Sequence, residues 1–106
     1  MAGFYMWETA DLAITLTGDG NPLEDYSKVV VSIYQPYGRV DLTDDSLGVD
    51  VDAQTINVHM TQEQTGKFKA GTAEIQVNVY YSDTERDTSA KGVLTVYDNL
   101  YRQAMP

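Results

Sequence analysis

Between Thr72 and Tyr81 the chain alternates apolar and polar residues for ten positions, with Ala73, Ile75, Val77, Val79 and Tyr81 on one side and Glu74, Gln76, Asn78 and Tyr80 on the other. A period of two places successive side chains on opposite faces of an extended strand, so this stretch must lie half-buried in a sheet. A strand that long needs partners, and the rest of the sequence supplies them. Lys28 to Tyr34 is rich in β-branched residues, with Val29, Val31 and Ile33 facing one way and Val30, Ser32 and Tyr34 the other. Both faces are partly apolar, which predicts a central strand. Leu12 to Thr17, Thr55 to Met60 and Lys91 to Tyr97 repeat the pattern, and Arg39 to Leu42 reads as a short return strand after the Pro36-Tyr37-Gly38 turn. Gly18-Asp19-Gly20-Asn21-Pro22 closes the first strand, and polar Ser82 to Asp87 reads as a loop.

One helical signal stands out. Thr61-Gln62-Glu63-Gln64 is a capping box, in which the Thr61 hydroxyl and the Gln64 amide each satisfy a backbone group at a helix start. Gly66 and Gly71 limit that helix to a turn or two. Several short strands with turn signals between them and one short helical turn predict an all-β fold, an antiparallel sandwich or partly open barrel. At 106 residues the chain is expected to form one domain across 1–106, with 98–106 a short C-terminal tail that ends in a brief helix or frays.

Charge and composition narrow the partners. Sixteen acidic residues against 7 basic ones give a formal charge of -9, which repels phosphate backbones and anionic lipid and disfavours nucleic acid and membrane surfaces. No apolar run approaches a membrane span and no basic, then apolar, leader opens the chain, so neither anchor nor secretion signal is expected. Cysteine is absent, which removes disulfides, thiolate metal sites and cysteine nucleophiles.

The residues offer little chemistry. His59 is the only histidine and falls on the polar side of its strand beside Asn57, so it reads as an exposed residue and not as a general base. Asp41, Asp44, Asp45, Asp50 and Asp52 gather in a stretch without a compensating base, which reads as a solvated acidic loop. Paired carboxylates act as acid and base in clefts, not in such loops. Calcium is the other use for these acids, but the spaced oxygen ligands of a calcium loop are missing. No catalytic residue, metal ligand or cofactor is assigned.

Aromatic residues are the conspicuous resource, with 8 tyrosines, 1 tryptophan and 2 phenylalanines. Tyr81 and Tyr97 read as packing residues of their strands. Phe4, Tyr5, Met6 and Trp7 precede the first clear strand, so residues 1–7 are expected to form an edge strand or a docking arm for a neighbouring subunit. Phe4, Tyr5, Trp7, Tyr34 and Tyr80, which the strand pattern does not commit to the core, are the candidate protein-contact residues.

The run from Met60 through Gly71 into Ala73-Glu74-Ile75-Gln76-Val77-Asn78-Val79, together with the strands at 12–17 and 28–35 and the ending Leu94-Thr95-Val96, resembles a small prophage protein of Gram-positive bacteria. That family is similar to the N-terminal domain of phage baseplate upper proteins. The resemblance implies an immunoglobulin-like β-sandwich without catalytic residues, serving as a tail or baseplate building block. Its implied partners are other tail proteins or copies of itself, met first in the cytoplasm of the bacterial host and then in the virion. The acidic stretch and the aromatic N-terminus have no counterpart in that likeness. Two other binding roles compete: carbohydrate recognition through the tyrosines with the acids holding calcium, and an acidic inhibitor that imitates nucleic acid.

Overall fold

The computed structural model describes residues 3–17, 20, 22–43, 46–82, 85–89 and 91–100. Among the described residues nine strands and one helical turn follow in order: β1 (Gly3–Tyr5), β2 (Ala10–Thr15), β3 (Lys28–Gln35), β4 (Gly38–Leu42), β5 (Leu47–Asp50), β6 (Thr55–Met60), α1 (Gln62–Thr65), β7 (Gly71–Tyr80), β8 (Arg86–Thr88) and β9 (Gly92–Tyr97). They form an immunoglobulin-like sandwich of two sheets. The larger runs β1-β9-β7-β3-β4, with β8 beside the second half of β7, and the smaller runs β2-β6-β5. All pairings are antiparallel except β1, which lies parallel to β9.

The long alternating strand takes the position its pattern demands. β7 pairs with β3 on one side and with β9 and β8 on the other, while β3 lies between β7 and β4. Val29, Val31 and Ile33 of β3 and Ala73, Val77 and Val79 of β7 are buried against Ile56, Val58 and Met60 of the smaller sheet. Sheet twist and side-chain alternation thus turn three period-two patterns into a single core.

Four expectations need correction. The acidic stretch is not a loop, because Asp41 belongs to β4 and Leu47–Asp50 forms β5, whose half-buried Leu47 and Val49 pack on the core. Asp44 and Asp45 lie outside the described residues. Arg86 and Asp87, read as the end of a loop, instead belong to β8 and continue the larger sheet. Phe4 is not on a contact arm: it is 4% exposed, inside the sandwich, with its ring edge-on to Phe68 at 5.6 Å. Tyr97 is not core, since in β9 it is Leu94 and Val96 that turn inward. The tail beyond Leu100 lies outside the described residues.

One end of the sandwich is closed by α1 and the turns around it. The capping box forms as its spacing requires: Thr61 N–H donates to Gln64 Oε1 at 2.8 Å, and Gln64 N–H donates to Thr61 Oγ1 at 3.2 Å. Among the described residues the buried polar side chains are Thr65 and Gln35, and each clasps the backbone of a distant segment. Thr65 Oγ1 donates to the Glu8 carbonyl at 2.9 Å and accepts from the Glu8 N–H at 3.2 Å. Gln35 Oε1 accepts the Lys69 N–H at 2.5 Å, and Gln35 Nε2 donates to the Lys69 carbonyl at 3.1 Å. At the opposite end the Tyr81 hydroxyl donates to the Pro22 carbonyl. Burial, reinforced by the nearby Asp87 carboxylate, pushes the Tyr81 pKa up and keeps that donor protonated.

Candidate binding surface

The outward residues of β9, β7, β3 and β4 make one face of the larger sheet. Strand register sets its rows. Val93, Glu74, Tyr34 and Arg39 lie abreast on four adjacent strands, and Gln76, Ser32 and Asp41 form the next row. Polar contacts tie the rows to each other and to the flanking turn. Arg39 Nε meets Asp41 Oδ2 at 3.1 Å, and Ser32 Oγ donates to Asp41 Oδ1 at 2.6 Å. Lys91 Nζ stands 3.7 Å from Glu74 Oε2, and Gln76 Nε2 donates to the Ser89 carbonyl at 2.9 Å. A shallow depression of about 220 Å³ opens among Ser32, Tyr34, Arg39, Glu74, Gln76 and Lys91.

The same face carries exposed apolar rings at the end nearer α1. Because β1 runs parallel beside β9, Tyr5 lies opposite Tyr97, and their rings tilt together with centroids 5.0 Å apart. They are 50% and 44% exposed, and further along the face Val93 is 52% and Tyr34 48% exposed. Aromatic area left in water on a sheet face is costly to keep and is usually reserved for contact. At the far end Tyr80 lies between cations, with the Lys28 ammonium 6.0 Å and the Arg86 guanidinium 5.7 Å from its ring.

Of the five candidate contact residues, the structure gathers three on this face, namely Tyr5, Tyr34 and Tyr80. Phe4 points inward from the same strand as Tyr5. Trp7 follows β1 in a left-handed turn at φ 61°, and its half-buried indole lies against Gly66 at the end of α1. Val93 and Tyr97 belong to the face but were not singled out. Thr95 between them was the available signal, since a polar residue marks the outer side of a strand whose two faces are otherwise both apolar.

The surface is poor in chemistry. Asp41 and Glu74 each face a cation, which leaves no unopposed carboxylate pair for acid and base work. His59 sits on the outer side of the other sheet, exposed, with Nδ1 2.8 Å from Asp11 Oδ1. Asp50 turns back to accept the Ala53 N–H at 3.1 Å. Among the described residues no three His, Cys, Asp or Glu side chains gather closely enough to hold a metal ion. No helix among them is long and apolar enough to cross a membrane.

No family model and no curated protein matches the chain. Solved structures do: 60 chains resemble it, so the sandwich is a common one that does not specify a role. One is a protein from Bacteroides vulgatus described as a "putative glycoside hydrolase", similar at a TM-score of 0.54 with 14% sequence identity. The match covers 95% of this chain but only 17% of that one, and what the two share is the fold.

Proposed function

We propose that this chain is a non-enzymatic building block of a phage or prophage tail or baseplate, acting through protein contacts made by the outer face of the larger sheet. The observation that carries the reading is the exposure of Tyr5, Tyr97, Val93 and Tyr34 on one sheet face, with the Tyr5 and Tyr97 rings in contact and the Asp41 and Glu74 carboxylates paired. Exposed amphipathic rings interspersed with charged pairs are the composition of a recognition surface. The resemblance of the 60–79 region to small prophage proteins supplies the setting.

The test is incorporation into particles. Virions purified from an induced host should contain the protein, and Tyr97→Glu should remove it from them while circular dichroism of the isolated variant stays unchanged. Absence of the wild-type chain from particles, or normal incorporation of the folded variant, would sink the reading. Carbohydrate recognition is the second reading, favoured by the depression that sets the Tyr34 ring beside Arg39 and Glu74. Binding of the wild-type chain on a glycan array, lost in Tyr34→Ala, would support it over the first.

A further inference from the structure

Sheet edges carry rows of unpaired backbone groups, and folded proteins blunt them with short strands, charges, prolines or bulges. Most edges of this sandwich are protected in one of those ways. β1 and β8 are three residues long, β4 carries the Arg39–Asp41 ion pair, and β5 is four residues with a glycine and Asp50. β2 is the longest of these edges. It is six residues long, its one charge, Asp11, stands near the start, nothing from Leu12 to Thr15 is charged, and among the described residues it pairs only with β6.

The ladder shows which groups of β2 face outward. The Leu16 N–H donates to the Gln54 carbonyl at 2.8 Å, and the β2–β6 register continues through Thr15↔Thr55, Ile14↔Ile56 and Ala13↔Asn57. Hydrogen-bonded positions of an antiparallel pair alternate, so Leu16, Ile14 and Leu12 bond to β6. Asp11, Ala13 and Thr15 therefore aim their N–H and C=O groups at the free edge. Beside that edge the gap between the sheets is open, a slot of about 320 Å³ lined by Ile14, Leu16, Ile75, Val77 and Gly92.

We infer that β2 is a self-association edge, which pairs antiparallel with β2 of a second copy about a twofold axis at Ala13. The choice of occupant follows from complementarity. Centring the pair on Ala13 sets the smallest side chain of the strand against itself and sets Asp11 of each copy opposite Thr15 of the other. A carboxylate then faces a hydroxyl donor, and no like charges are opposed. All three outward-facing residues become hydrogen-bonded pairs, and the two smaller sheets join into one continuous sheet whose new centre lies alongside the mouths of both apolar slots. A twofold axis makes the contact closed, so it yields a dimer and not a fibre.

Sedimentation velocity on the purified full chain tests this. The wild type should sediment as a dimer at micromolar and higher concentrations. Ala13→Pro removes an N–H that β6 does not use, which an edge strand tolerates, and should give a folded monomer. Ala13→Glu keeps the backbone intact, sets like charges across the axis and should do the same. Tyr97→Glu, on the other sheet's outer face, should leave the dimer unchanged. A monomeric wild type, a dimer that survives both Ala13 substitutions, or a dimer dissociated by Tyr97→Glu alone would each overturn the inference. Loss of the outer-face reading would leave this result untouched, because particle incorporation and solution dimerisation are separate readouts.

Discussion

The closed end of the sandwich and the outer face of its larger sheet use polar groups in opposite ways. Around α1 two polar side chains are buried, and each grips a backbone segment far away in sequence: Thr65 grips Glu8, and Gln35 grips Lys69. On the outer face polar groups grip one another in water, as in the Arg39–Asp41–Ser32 chain and the Lys91–Glu74 pair. The first kind has no solvent to replace it when it breaks, whereas the second does. Each clasp should therefore contribute more to stability than an outer-face pair, which leaves that face available for the contacts proposed above.

Removing a buried clasp is the largest test of that contrast. Gln35→Leu keeps the volume but takes both side-chain partners from the Lys69 N–H and carbonyl, which the buried Gln35 amide, 4% exposed, covers. The expected loss is about 2–3 kcal/mol, since each orphaned buried group carries its own desolvation cost. Urea denaturation should show a lower midpoint with an unchanged slope. A loss below about 0.5 kcal/mol would show that water reaches Lys69 after all and that the closed end is no different from the face.

A second test at the same end uses a close approach. A Cβ on Gly66 would stand 2.5 Å from ring atoms of Trp7, so Gly66→Ala must push the indole out of its seat. Overpacking of this kind typically costs about 1–3 kcal/mol. Trp7 is the only tryptophan, so its fluorescence reports directly on the displacement, and the emission should shift to the red with a lower Tm. An unchanged spectrum together with an unchanged Tm would break the contact assigned here.

Local signals made some of this legible in the sequence and left the rest hidden. β7, β3 and β6 follow from alternation because each contrasts a β-branched or otherwise apolar face with a more polar one, and the α1 cap follows from four adjacent residues. β5 was masked by its composition: Gly48 and the surrounding aspartates outweighed the inward Leu47 and Val49. β8 has no apolar face to read, and it exists because the free edge of β7 offers it a ladder. Phe4 could not be placed, since three residues define no period and the partner strand lies some ninety positions later. The clasps were invisible for the same reason. Gln35 and Thr65 look like surface residues until the fold brings Lys69 and Glu8 over them. On the outer face, Tyr5, Tyr34 and Tyr80 stand apart from the core pattern in the sequence, whereas Val93 and Tyr97 do not, because both sides of β9 are largely apolar.

The smallest expected effect lies on the outer face and sharpens the contrast from its other side. Asp41→Asn removes the charge that holds Arg39 and Ser32 in place, but these side chains remain open to water, at 62% and 45% exposure for the ion pair. Exposed pairs contribute about 0.5 kcal/mol, screened further by salt, so the Tm should fall by no more than about 2–4 °C. The consequence for recognition should be larger than the consequence for folding, because Arg39 beside Tyr34 loses the partner that fixes its direction. Reduced incorporation into particles at nearly unchanged Tm is the expected outcome. A drop in Tm as large as that of Gln35→Leu would mean that the outer-face network is structural, and the division between a stabilising end and a recognising face would fail.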